Sequence, residues 1–191
     1  MTAHDAFRDH VQVVGEAAKL LPETLERVAA ELHECLGRGN KLLACGNGGS
    51  ASDAEHLVAE LVGRYRDERR ALPAMALAGG MATITAVAND YGYENVFARQ
   101  LEAVARPGDL LFAISTRGNS PNVLAAVRAA RERSCRVVGF TGASGGKLAW
   151  QVDVLVAAPS KTTARIQEVH ILCMHIICEA LDRRLLAEAN R

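Results

Sequence analysis

Short apolar runs alternate with helix-like segments along most of the chain. The runs contain few polar residues, which is typical of parallel strands that are covered on both faces. They predict strands at 41–45, 73–77, 109–115, 136–141 and 153–157. The segments between them predict helices at 50–64, 82–88, 93–105, 121–133 and 145–150. This alternation predicts an α/β fold with an open, mainly parallel five-stranded sheet flanked by helices.

The first 40 residues show helical periodicity instead. A first helix is expected over 5–19, and Pro22 begins a second helix whose apolar stripe runs from Leu25 to Leu36. Glycines then end the second helix. Residues 1–40 are therefore predicted to form a helical hairpin.

The chain is also predicted to end in a helix. The segment from Thr162 to Leu186 is long and apolar on most sides, so we expect it to be largely buried. A length of 191 residues suits one domain with a substantial core, and no repeat or linker divides the sequence. We therefore expect a single domain over residues 1–191.

Charge and composition exclude several kinds of partner. Lysine plus arginine equals aspartate plus glutamate at 22 each, so no net charge draws the chain to nucleic acid or an anionic membrane. Aromatic residues make up only 4%, which leaves few to stack on bases. The sequence shows no basic-then-apolar leader and no apolar run near the ~20 residues of a membrane span. We expect a cytoplasmic protein that binds neither nucleic acid nor membrane.

The cysteines do not form a recognisable framework. They are odd in number and lack C-x-x-C spacing, and the chain shows no export signal. We therefore predict reduced, mostly buried thiols at Cys35, Cys45, Cys135, Cys173 and Cys178.

Two predicted strand-to-helix junctions carry loops suited to an anion. Gly46–Ser50 follows the first strand and Ser115–Ser120 follows the third, and both loops are rich in glycine, serine or asparagine. Free N–H groups and the positive end of a helix dipole favour a phosphate there. The first loop has neither Walker A nor G-x-G-x-x-G spacing, which disfavours a nucleotide; taken alone, it could equally be a tight turn that needs glycine. Two such loops in one domain favour a sugar-phosphate site.

Ionisable residues lie close to the first loop and on the last helix. His56 and Glu60 are four residues apart and share one face of a largely apolar helix, although such a pair can also be merely solvated. Gln167 and His175 lie about 80° apart on one broad helix face. A lone histidine on such a helix is more often a hydrogen-bonded core residue, and His170 is assigned to that class.

Two further groups have a polar and a structural interpretation. Arg117 could clamp a phosphate with two hydrogen bonds or lie over the surface. Asn89 and Asp90, followed by Tyr91 and Gly92, have turn chemistry and could form a plain Asx-turn or contact a ligand.

Four ordered motifs covering nearly the whole chain resemble those of a known family. They read CGNGGSASDAEHLVAELVGRY, TAVANDYGYENVFARQ, GDLLFAISTRGNSPNV and PSKTTARIQEVHILCMH. They are similar to the signatures of the phosphoheptose isomerases, which are single sugar-isomerase (SIS) domains that convert sedoheptulose 7-phosphate to D-glycero-D-manno-heptose 7-phosphate. The resemblance implies a homotetramer with active sites at subunit interfaces, in which the 1–40 hairpin takes part in packing. It also implies a product that feeds ADP- or GDP-heptose and cell-surface polysaccharide.

The resemblance also assigns roles to individual residues. It makes Glu60 and His175 the catalytic pair, and it implies one zinc ion per subunit held by His56, Glu60, Gln167 and His175. An N/O set of this kind can accept zinc, although an amide oxygen is an unusual fourth ligand. Substrate binding is expected at Asn47, Gly48, Gly49, Ser50, Glu60, Asn89, Asp90, Ser115, Thr116, Arg117, Ser120 and Gln167.

The sequence departs from the family at two places, and these keep other functions open. Arg117 replaces the middle serine of STSGNS, and the segment 78–82 is less polar than usual. STRGNS also occurs in a non-catalytic relative that associates with the bacterial replication initiator. The alternatives are therefore a non-catalytic binding protein or sugar-phosphate sensor, and an isomerase of another sugar phosphate. The presence of both Glu60 and His175 favours the heptose isomerase.

Overall fold

The computed structural model describes residues 2–189 and is built around a five-stranded sheet in which every neighbouring pair of strands is parallel. Residue 1 and residues 190–191 of the predicted domain lie outside the described part. The strands are β1 (Leu42–Cys45), β2 (Ala74–Ala76), β3 (Leu110–Ile114), β4 (Arg136–Gly142) and β5 (Val154–Ala158). Their order, β2-β1-β3-β4-β5, makes β1 and β3 neighbours and confirms the predicted α/β class. Ligands in such sheets bind beyond the carboxyl ends of the strands where the order reverses, which here is between β1 and β3.

Seven α-helices surround the sheet within the described residues. They are α1 (Ala3–Leu20), α2 (Pro22–Gly37), α3 (Gly49–Val62), α4 (Met81–Tyr91), α5 (Ala98–Val104), α6 (Pro121–Glu132) and α7 (Thr163–Ala189). The predicted hairpin and the long last helix are both present. Within residues 2–189, none of the helices combines the length and the apolar character that crossing a bilayer would require.

Two predicted helices differ in the structure. The helix expected over 93–105 is a 3-10 turn at Tyr93–Asn95 followed by α5. At the junction, the side-chain amide of Gln100 donates to the carbonyl of Val96 at 2.7 Å. The helix expected over 145–150 is only a 3-10 turn at Leu148–Trp150. Gly145 and Gly146 both have positive φ, at 69° and 57°, so neither residue can be part of a right-handed helix.

The sheet sorts the helices into two layers. Alternate residues of each strand face opposite sides, so Ala44 and Phe112 contribute to one core cluster, while Leu43 and Leu111 contribute to the other. The first cluster contains the buried residues of α1, α2, α3 and α7, and the second contains those of α5 and α6. Helices α3 and α7 therefore lie on the same face of the sheet.

The expectation that all five strands are covered on both faces holds only for the inner ones. Every residue of β1 and β3 is buried, and β4 is buried after Arg136. The edge strands β2 and β5 are partly exposed, and Met75 in β2 is 39% exposed. An edge strand has a neighbour on one side only, so apolar composition alone overestimates its burial.

The burial of all five cysteines confirms the prediction of free, buried thiols. Removal from water raises the pKa of Cys45, Cys173 and Cys178 to about 12 and that of Cys35 and Cys135 to about 11. The thiolate is the reactive form, so these thiols are protected from reaction in two ways: they are inaccessible to solvent, and they stay protonated.

We predict that the native protein reacts very slowly with a thiol reagent such as dithionitrobenzoate at pH 8. Denaturation in guanidinium should expose all five thiols and give five equivalents within minutes. A fast phase of one equivalent in the native protein would show that one of these side chains is accessible in solution.

Candidate active site

The first loop of the site connects β1 to α3. Gly48 adopts φ 57°, a left-handed conformation that disfavours other residues, and Gly49 begins the helix. Asn47 and Ser50 flank these glycines, and the N–H of Ser50 donates to the carbonyl of Asn47 at 3.1 Å. The N–H groups of Ala51 and Ser52 donate likewise, to the carbonyl of Gly48, so the loop offers an anion the positive end of the α3 dipole and the N–H groups that precede Ser50.

The second loop connects β3 to α6. The hydroxyls of Ser115 and Ser120 lie 3.0 Å apart, and the carbonyl of Thr116 accepts from the N–H of Gly142 at 2.8 Å. Gly118 has φ 65° and lies so close to the backbone of residues 145–146 that a Cβ would overlap it. One side of the loop is therefore packed against residues 142–146, while the Arg117 side chain is exposed.

A partly buried amide pair joins the first loop to the start of α6, directly after the second loop. Asn47 and Asn122 each donate to the other's side-chain oxygen at 2.8 Å, and the hydroxyl of Tyr93 donates to Asn47 Oδ1 at 2.9 Å. Asn122 is 2% exposed and also accepts from the N–H of Val123. Sequence reasoning missed Asn122 and Tyr93, although both fall inside the motifs that marked the family.

The ionisable residues converge between α3 and α7. The Nε2 atom of His56 lies 3.0 Å from Glu60 Oε1 and 3.0 Å from His175 Nε2. The ring of Tyr65, a residue that the sequence analysis did not select, lies 5.7 Å from the His175 ring, centre to centre. The predicted His56–Glu60 face is thus real, and folding adds His175 to it.

The chemistry of this cluster fits a metal ion. His56, Glu60 and His175 each offer a ligand atom, and these atoms lie within 4.8 Å of one another. Two imidazole nitrogens and a carboxylate oxygen bring several lone pairs to one point, which a shared cation can satisfy. Tetrahedral ligands bonded at about 2.0–2.1 Å to one zinc ion lie roughly 3.3–3.4 Å apart, so small shifts from the two spacings of 3.0 Å would accommodate a shared ion.

Gln167 lies with the first loop. Its side-chain amide is so close to Gly49 that a Cβ at Gly49 would overlap its nitrogen. Eight residues of helix place Gln167 about 12 Å along the α7 axis from His175. Its contact with the loop accords with a substrate-binding role, and its role as a metal ligand stays a prediction.

Asn89 and Asp90 belong to a helix and not to the predicted turn. They occupy the last turn of α4, which ends at Gly92 with φ 84°. Both are exposed, and the Asn89 amide donates to Asp90 Oδ1 at 2.8 Å. The turn signal therefore marked the end of a helix, and the two side chains are free to meet a ligand or another chain.

Comparison with known proteins assigns this arrangement to a family. Residues 6–142 match the SIS domain model. A phosphoheptose isomerase of Shewanella loihica is 49% identical over 190 residues, covering 98% of this chain and 96% of that protein. Its counterpart in Shewanella frigidimarina is 48% identical over 96% of this chain and 95% of its own length. The chain belongs to the phosphoheptose isomerase family.

Solved structures of phosphoheptose isomerases share the fold. That of Neisseria gonorrhoeae has a TM-score of 0.90 at 44% identity, with 94% of this chain and 96% of the other covered. That of Francisella tularensis has a TM-score of 0.92 at 39% identity, with 96% and 100% covered. The Vibrio vulnificus NanR protein, complexed with ManNAc-6P, shares the fold alone, at 18% identity and a TM-score of 0.70 over 98% of this chain and 64% of its own.

Another histidine of α7 is structural, as predicted. His170 is fully buried, and its Nε2 lies 2.9 Å from the carbonyl of Thr141. Burial lowers the pKa of His170 to about 4, against the opposing effect of that hydrogen bond. An unfolded histidine titrates near 6.5, so the unfolded chain binds more protons than the folded one between these two values.

We predict that acid destabilises the fold through His170. As the pH falls from about 6.5 towards about 4, this residue should lower the free energy of unfolding by up to about 1.36 kcal/mol per pH unit. Urea unfolding of His170→Gln should show a shallower pH dependence, whereas a control variant of the exposed His4, His4→Gln, should keep the wild-type slope. Equal slopes for wild type and His170→Gln would contradict the assignment.

Proposed function

We propose that this chain isomerises sedoheptulose 7-phosphate to D-glycero-D-manno-heptose 7-phosphate. The observation that carries the proposal is the convergence of His56 and Glu60, on the helix that begins at the glycine loop, with His175 of α7. Relatives that are 48–49% identical over almost the whole chain are phosphoheptose isomerases, which supports the same reaction class here.

The reaction moves a proton between C1 and C2 of an open-chain sugar through an enediol or enediolate. It needs one group to remove the carbon-bound proton and another to manage the hydroxyl proton. Glu60 and His175 supply a carboxylate and an imidazole on facing helices. We propose them as the acid/base pair, with either able to act first.

Phosphate binding would hold the far end of the sugar. The hydroxyls of Ser115, Thr116 and Ser120 and the guanidinium of Arg117 are proposed to surround the phosphate, with N–H groups of the loop. This loop follows β3, the neighbour of β1, so it lies beside the glycine loop. Gly49 of the glycine loop is seven residues from His56, or about 10 Å along the axis of α3. A seven-carbon sugar phosphate can span a gap of this size, so a bound phosphate can keep C1 and C2 near the cluster.

We propose that zinc occupies the cluster. His56, Glu60 and His175 would hold it. The family resemblance implies Gln167 as the fourth ligand, which would require its side chain to turn from Gly49 towards the cluster. Bound there, the ion would act as a Lewis acid on oxygens of the substrate. Glu60 Oε1 lies 3.0 Å from His56 Nε2, and we propose that the other carboxylate oxygen exchanges the proton.

We propose that the protein is a homotetramer in the cytoplasm. We also propose that the product of its reaction feeds heptose synthesis for lipopolysaccharide. Phe7 and Val11 of the α1–α2 hairpin are 74% and 69% exposed, which supports a packing role for the hairpin. No residue of α4 is fully buried within the described part of the chain, although the helix is rich in apolar side chains and packs against the second core cluster only through Ile84, Val87 and Ala88. A second subunit covering α4 would also approach Asn89 and Asp90.

We predict that Glu60→Gln lowers kcat by about 10²- to 10⁴-fold while KM changes little, because it keeps the shape and removes the base. Proton NMR of sedoheptulose 7-phosphate, with zinc present, would follow the new anomeric signals of the aldose. Glu55→Gln, on the exposed side of the same helix, is the matched control and should turn over normally.

Chelation of the wild-type protein tests whether turnover requires the metal, without changing any residue. Loss of turnover that zinc restores would support the proposed ion, and unchanged turnover would remove it from the reaction. Near-normal turnover by Glu60→Gln would refute the acid/base assignment. Absence of turnover in the folded wild type, with and without zinc, would favour a non-catalytic binding protein instead.

We predict that Arg117→Ser raises KM about tenfold and leaves kcat nearly unchanged. A guanidinium on a phosphate forms a charge-assisted hydrogen bond that acts equally in the ground and transition states. Arg128→Ser is the control, since Arg128 is exposed on the following helix α6. An unchanged KM for Arg117→Ser would place the guanidinium on the surface, away from substrate.

A further inference from the structure

A buried arginine connects the end of α3 to α7. Arg69 lies in the segment between α3 and β2, and its side chain is only 7% exposed. Its guanidinium donates to the carbonyl of Glu60 at 2.7 Å and to that of Leu61 at 2.9 Å. Its Nε donates to Asp182 Oδ1 of α7 at 2.8 Å, and the side chain of Asp182 is 4% exposed.

Arg69 acts as a cap for α3. The last carbonyls of a helix have no partner within it, and α3 has no basic residue in its last turn. The guanidinium supplies donors to two of these carbonyls and places positive charge at the negative end of the helix dipole. One of the two carbonyls belongs to Glu60, whose side chain forms part of the ionisable cluster.

The same contact fixes how α3 sits on α7. Asp182 follows His175 by seven residues, which is two turns of helix on nearly the same face. Between the helices lie apolar residues of one core cluster, among them Leu57 and Ile177, and apolar contacts have no preferred direction. The planar guanidinium, which binds a carboxylate and two carbonyls at once, is directional.

We propose that Arg69 and Asp182 are positioning residues for the acid/base pair. They hold the end of α3 against α7 so that His56 and Glu60 stay within reach of His175. The catalytic meaning of this inference rests on the proposed function, but the geometry it claims can be measured without any substrate.

Two variants test the contact without leaving a lone buried charge unpaired. Arg69→Lys keeps the positive charge but loses the planar guanidinium that binds the carboxylate and both carbonyls at once. The double variant Arg69→Gln with Asp182→Asn removes both charges together. Arg66→Gln is the matched control, because Arg66 lies in the same segment and pairs with Glu179 of the same helix α7, but with both side chains exposed.

Each protein is compared with wild type by the imidazole ¹⁵N resonances of its histidines and by kcat and KM. The Arg69→Lys and double variants should shift or broaden the signals of His56 and His175. They should also lower kcat about 10- to 100-fold, with KM within about threefold, as partners that orient site residues do. Circular dichroism should show them folded, and Arg66→Gln should match wild type in all respects.

Wild-type resonances together with wild-type kcat in both variants would overturn the positioning role. It would also be overturned if neither variant folded, since the pair would then serve the whole fold. A wild-type protein without turnover would refute the proposed function separately, and the His56 and His175 signals would still decide whether Arg69 sets the geometry.

Discussion

The site depends on the packing of α3 against α7 on one face of the sheet. His56 and Glu60 come from one helix and His175 from the other, and more than a hundred residues separate them in sequence. The β1-α3-β2 and β3-α6-β4 crossovers run in opposite directions along the sheet, so right-handed connections put α3 and α6 on opposite faces. Helix α7 shares the core cluster of α3, and burial of apolar surface holds these two helices together. The 3.0 Å contacts within the cluster are a consequence of that packing.

The two loops are organised by a second constraint, the adjacency of β1 and β3. Their carboxyl ends bring Gly46–Ser50 beside Ser115–Ser120, and the Asn47–Asn122 pair connects the first loop to the start of α6, directly after the second loop. Asn47 Oδ1 already accepts from Asn122 and Tyr93. Its side chain is therefore largely committed to the fold, so a substrate would meet mainly the backbone N–H groups of this loop.

Local signals in the sequence predicted most of the architecture, because strands, helix starts and glycine loops are encoded by neighbouring residues. The five strands, the hairpin and the long α7 all lie close to their predicted positions. The differences have conformational or non-local causes: Gly145 and Gly146 adopt positive φ where a helix was expected, and β2 is partly exposed because it is an edge strand. The same holds for the site, where spacing paired His56 with Glu60 but could not indicate that Arg69 reaches Asp182.

Glu60 illustrates why the chemistry and the fold of this site can be separated. Its side chain meets His56, whereas its backbone carbonyl is held by Arg69. A change of carboxylate to amide leaves the carbonyl and its hydrogen bond in place, so its effect on turnover reports the loss of the carboxylate, both as base and as proposed zinc ligand. A change at Arg69 leaves every ionisable group of the cluster present and alters only the positions of their side chains. The two substitutions therefore test different contributions: the carboxylate itself and its position. Their effects on kcat should be less than additive only if Arg69 acts through the position of the Glu60 carboxylate.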